Sequence, residues 1–222
     1  MCGRYTVTPP AAALEARFEA SFAGSTAGPT YNAAPSQQLP VILNTEPGRI
    51  QLLQWGLLPG WVRDVQKAPR PINARAETLT EKPSFRTLLQ RRRALVLADS
   101  FYEWQVTSHG KVPHRILLTS EEPFAFAGLW DEWLNRDTGE VHPTFTIITT
   151  APNSLMAPIH NRMPVLLPGR EAELAWLDDG LGLAGHQLLL QPYAPDAMRE
   201  YVVSPLVNSP AHNEPAVLLP AA

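Results

Sequence analysis

The sequence predicts an α+β fold: a single domain over residues 1–222, built on a mostly antiparallel, barrel-like β-sheet with peripheral helices. Three observations carry this expectation. Strand-like runs follow one another through the middle of the chain with only occasional helical segments between them, which disfavours a doubly wound parallel sheet. No long linker and no internal repeat divides the 222 residues, a length that suits one large domain. Finally, 45% hydrophobic residues supply enough apolar surface for a core, while 23 prolines lie scattered among apolar segments and read as strand ends and shaped loops.

The elements follow in order. Residues 8–22, "TPPAAALEARFEASF", offer Thr8 as a cap, prolines in the first turn and apolar residues at helical spacing, so an early helix is expected. After a Gly/Ser/Thr loop, residues 39–61 read as two short strands around a turn at Glu46 to Gly48. "KPSFRTLLQRR" predicts a helix with Pro83 in its first turn. "RALVLADSFYEWQV", "HRILLTS", "FAFAGLWDEWL" and "TFTIITTAP" are strand-like and bounded by turn residues. "SLMAPIH" predicts one or two helical turns, "MPVLL" a strand, "PGREAELAWLDD" a helix and "REYVVSPLV" a last strand.

Composition excludes several function classes. A net charge of -3 gives no whole-protein attraction to nucleic acid, so a polyanion would have to be met by a local cluster. Lysine occurs only at positions 67, 82 and 111, so arginine, whose planar fork suits phosphates and base stacking, dominates the cations. The run "RRR" at 91–93 invites reading as a DNA patch, but reads better as a solvated helix end, where cations complement the dipole. A single cysteine excludes an internal disulfide framework and any multi-thiolate metal site, and the six histidines lack zinc-type spacing, so no metal is expected. No apolar run reaches the length of a membrane span, and the first residues do not read as a secretory signal. The expected protein is cytoplasmic, away from membranes and monomeric.

That single cysteine is Cys2. Removal of Met1 would give it a free α-amine beside its thiol, a pair that an internal cysteine cannot present. Both groups are partly nucleophilic near neutral pH. Two chemistries follow: acyl attack by the thiol with the amine as base, as in N-terminal nucleophile hydrolases, or condensation of the amine with an aldehyde, closed by the thiol to a five-membered thiazolidine. Three further segments could assist. In "PINARAET", Asn73, Arg75 and Glu77 alternate in an extended pattern that puts all three on one face. In "ADSFYEWQ", Glu103 sits among Phe101, Tyr102 and Trp104, where desolvation would raise its pKa and suit it to general-acid work. In "APIHNRMPVLL", His160 and Arg162 precede a strand.

Taken together, "MCGRY", "YNAAPSQ", "WGLLPGW", "NARAET", "FYEW", "FAGLW", "IHNRMPV" and "VSPLVN" recur in family order over nearly the whole chain. In them the chain resembles the SOS response-associated peptidase family. It departs from that pattern modestly, with Ser100 where a glycine usually precedes "FYEW" and a looser ending after Asn208.

The resemblance implies a DNA-damage protein, thiol-peptidase-like, that needs no cofactor. It would capture abasic sites in single-stranded DNA covalently through Cys2, acting on the nucleoid. Carried over by motif position, Cys2 supplies both nucleophiles, Asn73 holds the amine, Glu103 shuttles protons and His160 assists sugar opening. Arg4, Arg75 and Arg162 would meet phosphates; Pro35, Trp55, Trp61 and Trp104 would wall the gap left by the missing base. The competing readings are an N-terminal nucleophile amidohydrolase or peptidase and a noncatalytic reader of single-stranded DNA.

Overall fold

The computed structural model describes residues 2–24, 26 and 28–221. The elements run β1 (Arg4–Val7), α1 (Ala11–Phe18), β2 (Ser21–Phe22), β3 (Thr30–Ala33), β4 (Gln38–Leu43), β5 (Glu46–Trp55), β6 (Asn73–Arg75), α2 (Pro83–Arg91) and β7 (Arg93–Ala98). They continue as β8 (Ser100–Thr107), β9 (Gly110–Leu118), β10 (Phe124–Leu134), β11 (Val141–Thr150), β12 (Met163–Pro164), α3 (Gly169–Leu177), α4 (Gly182–Leu188) and β13 (Met198–Val202).

Strands β11, β10, β7, β4 and β5 pair in turn, all antiparallel, and the ring closes where β5 runs parallel to β11 through Gln54–Thr144 and Trp55–Phe145. Closure leaves no unpaired edge in the ring. The α+β, barrel-like expectation therefore holds, with one parallel seam. Trp55 and Phe145 stack at that seam, ring centroids 6.3 Å apart, and Trp55 Nε1 donates to the Ile72 carbonyl at 2.9 Å. The strands approach so closely at Gly128 that an added Cβ would lie 2.8 Å from a Val96 methyl.

A second antiparallel sheet, in the order β13-β9-β8-β1-β3, lies against the barrel. Tyr5, Phe101 and Ile116 point into the shared core, while Tyr102 on the other face is covered by Val203, Val207 and Val217 of the C-terminal segment. The run 93–106, read as one strand, divides at Asp99 and passes from barrel to second sheet. The Asp99 carboxylate accepts from the Thr8 N–H at 2.7 Å and the Thr8 hydroxyl at 3.0 Å. Thr8 thus anchors the sheets to each other and caps nothing; α1 starts after Pro10, without a side-chain cap.

Other expectations shift at boundaries. The turn between β4 and β5 is at residues 44–45, and Glu46 pairs with Leu43 across a bulge, so Pro47 and Gly48 lie inside the strand. Residues 154–159 form turns closed by backbone bonds from Ala157 to Asn153 and from His160 to Met156, both 2.9 Å, so the expected helical turns are present without a continuous helix, and the "MPVLL" strand keeps only two ladder residues. The short strands β2 and β3, and α4 with its internal glycine, carried no strong period, whereas β6 falls on the extended alternation read at Asn73 and Arg75.

The "RRR" reading is corrected at its third residue. Arg93 is fully buried as the first residue of β7; its Nε donates to the Trp176 carbonyl at 2.8 Å, its Nη1 to the Leu89 carbonyl at 3.1 Å, and its Nη2 to Asp179. Arg93→Met keeps the stem but strands both carbonyls, and should cost about 3 kcal/mol, a loss in melting temperature of roughly 6–12 °C for a chain of this size. An unchanged melting temperature would rule out this role.

Candidate functional site

The site forms where the second sheet meets β6. Antiparallel pairing of β1 with β8 sets Arg4 against Tyr102 and Tyr5 against Phe101, and Cys2, just ahead of β1, lies near enough to Glu103 for the two to interact electrostatically. Strand β6 pairs in parallel with β11, Asn73 opposite Ile147, and β12 pairs with the end of β11, so the loop carrying His160 and Arg162 arrives beside it. Four distant segments are thereby brought together.

Cys2 is fully buried. The Asn73 side-chain amide donates to the Cys2 carbonyl at 2.8 Å, while Asn73 Oδ1 is buried and makes no hydrogen bond among the described residues. Burial pushes the Cys2 thiol well above its usual range, and the nearby Glu103 carboxylate pushes it further. Burial also raises the Glu103 carboxyl, against the opposing pull of His160. Glu103 is only 2% exposed, so desolvation outweighs the opposing electrostatic pull. His160 Nδ1 lies 3.0 Å from the Arg162 N–H and 3.2 Å from the Arg162 carbonyl, so the backbone of Arg162 holds the ring in place. Glu103 and His160 line one cavity of about 330 Å³ with Trp104, Val106, Lys111 and Asn208.

The remaining predicted residues are placed as follows. Arg75 is exposed, whereas Glu77 lies on a 3-10 turn at Ala76–Thr78, so the extended alternation of the "NARAET" segment stops after Arg75. Arg162 grips Glu77 through two hydrogen bonds, 2.6 and 2.9 Å, and the Thr149 carbonyl at 2.6 Å, and it holds the Glu77 carboxyl below its usual range. Arg4 is also committed inward: Nη1 donates at 2.8 Å to both Asn32 Oδ1 and the Val207 carbonyl, and Nη2 to the Asn208 carbonyl at 3.2 Å. Trp104 is half-buried, with its Nε1 donating to Asn208 Oδ1 at 2.7 Å. Pro35 is half-buried in the turn between β3 and β4.

The two tryptophans of "WGLLPGW" part company. Trp55 is 1% exposed and belongs to the core, a correction to its place among the walls of a DNA gap; Trp61 is 71% exposed. The chain turns between them at Gly56, whose φ of 120° favours glycine. Trp61, Asn73 and Arg75 open into a groove of about 1070 Å³. Sequence reasoning did not assign Lys111 or Asn208 to the site, and of the α2 residues that border this groove it weighed only Arg91, within the "RRR" run; Asn208 carried a signal as the end of "VSPLVN". Among the described residues no cluster of His, Cys, Asp or Glu could hold a metal, and no helix is long and apolar enough to cross a membrane. The expected removal of Met1 concerns a residue outside those described.

The model of the family described as SOS response associated peptidase (SRAP) matches residues 1–210. Relatives include the abasic site processing proteins YoqW and YoaM of Bacillus subtilis. The first is 49% identical over 86% of this chain and 85% of its own, the second 44% identical over 98% and 97%. The abasic site processing protein HMCES of Xenopus tropicalis is 30% identical over 84% of this chain and 64% of its own. A crystal structure of a Bacteroides thetaiotaomicron protein superposes with a TM-score of 0.92 at 34% identity, over the full length of both chains.

Proposed function

Because the chain belongs to the SOS response associated peptidase family, we propose that it captures abasic sites in single-stranded DNA covalently, through Cys2 once Met1 has been removed. The relatives' name, abasic site processing protein, supports the lesion as substrate. The observation that carries the chemistry is the Asn73 amide. It donates to the Cys2 carbonyl, and its partnerless Oδ1 can accept from an α-amine on the same residue.

The ring-opened abasic sugar presents an aldehyde. The Cys2 amine adds to that carbon, giving a carbinolamine; loss of water gives an imine; the thiol then adds across the C=N bond, its proton passing to nitrogen. One water leaves and nothing is oxidised or reduced. Dehydration needs an acid close to neutral pH, and the buried Glu103 carboxyl, with its raised pKa, is suited to it. His160, in the same cavity, assists opening of the sugar ring. The product ties one carbon to nitrogen and sulfur, so breaking either bond leaves the other in place.

Arg75 and Trp61, both exposed, contact the strand directly. Arg162 and Arg4 act by holding the His160 loop and the segment around Asn208. Pro35 and Trp104 wall the gap, and one copy of the chain suffices. Self-cleavage ahead of Cys2 would need the thiol as an acyl nucleophile, which burial disfavours by keeping it protonated; the aldehyde route has the less demanding order, since the amine attacks first.

The test is incubation of the purified chain with a single-stranded oligonucleotide bearing one abasic site, read by denaturing gel and intact mass. The expected product has the mass of the oligonucleotide plus the chain without Met1, less one water. Absence of a denaturant-resistant product, or a product that retains Met1, would refute the proposal.

A further inference from the structure

The segment 178–189, which follows α3, is pinned to the barrel by one buried side chain. It passes through a 3-10 turn at Asp179–Leu181 and then α4, and every residue in it is exposed or half-buried except His186, which is 1% exposed. Local helix strength adds little. The helix opens on Gly182, whose φ of 73° favours glycine, and carries Gly185 inside, while Leu188 faces water. Both ends, by contrast, are fixed by buried leucines, Leu177 and Leu190. Asp179 is a second tie: it accepts from the Asn44 amide at 2.9 Å and pairs with Arg93. Its carboxylate reaches solvent, however, where such pairs hold weakly.

His186 Nε2 lies 3.0 Å from the Asp178 carbonyl, which can only accept, so that nitrogen carries the proton of the neutral ring. Nδ1 is then a bare acceptor, buried and without a hydrogen bond among the described residues. The ring meets Trp176 edge to face, centroids 5.6 Å apart at 87°. A second proton would fall on Nδ1, where no acceptor among the described residues receives it, and leaving such a donor buried is costly. Burial holds the imidazole below its ordinary range and the Arg93 charge pushes it further, against the Asp178 carbonyl bond and the carboxylates of Asp179 and Asp178. The charges acting on the ring thus come from β7 and from the turn after α3. Helix α3 faces it with Trp176, and α2, which packs on α4, has Leu88 and Leu89 buried and its cations Arg86 and Arg91 exposed.

We propose that His186 is a pH-sensitive latch: neutral, it pins 178–189 against Trp176 and α2; protonated, it leaves its buried place and the segment opens locally while α3 and the barrel stay folded. In the open segment the imidazole titrates near its ordinary value of about 6.5. The closed form binds the proton less tightly. The latch is therefore complete above the open value and is lost as pH falls through it toward the closed one. Opening bares the Trp176 ring and the Arg93 guanidinium to water and withdraws α4 from α2. The device shares no residue with the site around Cys2 and stands whether or not the chain captures DNA.

The test is amide hydrogen exchange of the full chain, read by mass spectrometry on peptides from 178–189, α3 and β7, with rates corrected for their intrinsic dependence on pH. Between about pH 7.5 and about pH 5 the opening equilibrium of 178–189 should rise by up to about thirtyfold, the factor for an imidazole of pKa about 6.5 that takes its proton only when open. Protection in α3 and β7 should hold over the same range. His186→Gln can still donate to the Asp178 carbonyl but takes no proton, so its segment should stay closed at both pH values. Unchanged protection of 178–189 in the parent at the lower pH would overturn the latch, as would an equal loss in α3 and β7, which would mark global acid unfolding. The parent's pH response persisting in His186→Gln would overturn it too. The first two readings need only the parent, so they decide the matter even where the variant misfolds.

Discussion

Cys2→Ala should remove the heat-stable, denaturant-resistant adduct with abasic single-stranded DNA entirely. Cys2 is the only cysteine, so no second thiol can take its place. The variant keeps an α-amine at position 2 after processing. It should therefore still form the imine, which reverses on denaturation unless borohydride reduces it to a stable amine. Parent and variant should thus differ without reductant and converge with it. A short tag ahead of Cys2 should have the opposite signature: the thiol survives, the amine is an amide, and neither condition gives a Cys2 linkage. In the proposed sequence the amine attacks first, in keeping with a thiol that burial pushes up, so the tag is the more severe lesion of the two. A heat-stable, denaturant-resistant adduct formed by Cys2→Ala without reductant would sink the assignment, and an undiminished one in the tagged protein would show that the amine is not used.

Much of the fold was legible because its signals are local. The strand-rich middle and the helices over α1, α2 and α3 follow from apolar period, proline position and turn residues. The barrel's closure was legible only as a likeness, since the parallel seam between β5 and β11 joins residues about ninety apart and depends on Trp55 meeting Phe145. Boundaries failed where tertiary partners overrode local cues. Thr8 bonds to Asp99 instead of capping α1, and Pro47 and Gly48 are absorbed by a bulge. Charge was the least legible property. Four arginines that look alike in sequence have different surroundings: Arg93 is buried against carbonyls, Arg4 and Arg162 are fixed by protein acceptors, and Arg75 is exposed. Nothing in the pattern of residues around an arginine states how many acceptors the fold will bring to it. The cluster of Cys2, Asn73, Glu103 and His160 came from motif resemblance, and the structure adds that Asn73 is bonded to Cys2, that Cys2 and Glu103 are buried, and that Glu103 interacts electrostatically with both Cys2 and His160.

Glu103→Gln should slow adduct formation by about a hundredfold while making the protein more stable at neutral and alkaline pH. Both effects have one cause. Burial raises the Glu103 carboxyl in the folded chain, whereas in the unfolded chain it titrates near its ordinary value of about 4.3. The folded state therefore binds the proton more tightly. The stability this gives is complete below the unfolded value and is lost as pH rises through the raised folded value. Above that window the folded chain must hold a desolvated carboxylate, and glutamine, which carries no charge, avoids the cost. Melting temperatures of parent and variant should therefore diverge as pH rises, the variant higher, and approach each other toward acid. Capture kinetics should show the converse. The parent rate should fall as pH rises through the same window, because only the protonated carboxyl can donate to the departing hydroxyl, and the variant should lack that limb. A variant that melts lower than the parent at every pH and retains the parent rate would mean that Glu103 is a packing residue. A coincident pH window in the melting and kinetic profiles would tie the catalytic acid to the buried carboxyl, a site held at the expense of stability because its chemistry needs a proton near neutral pH.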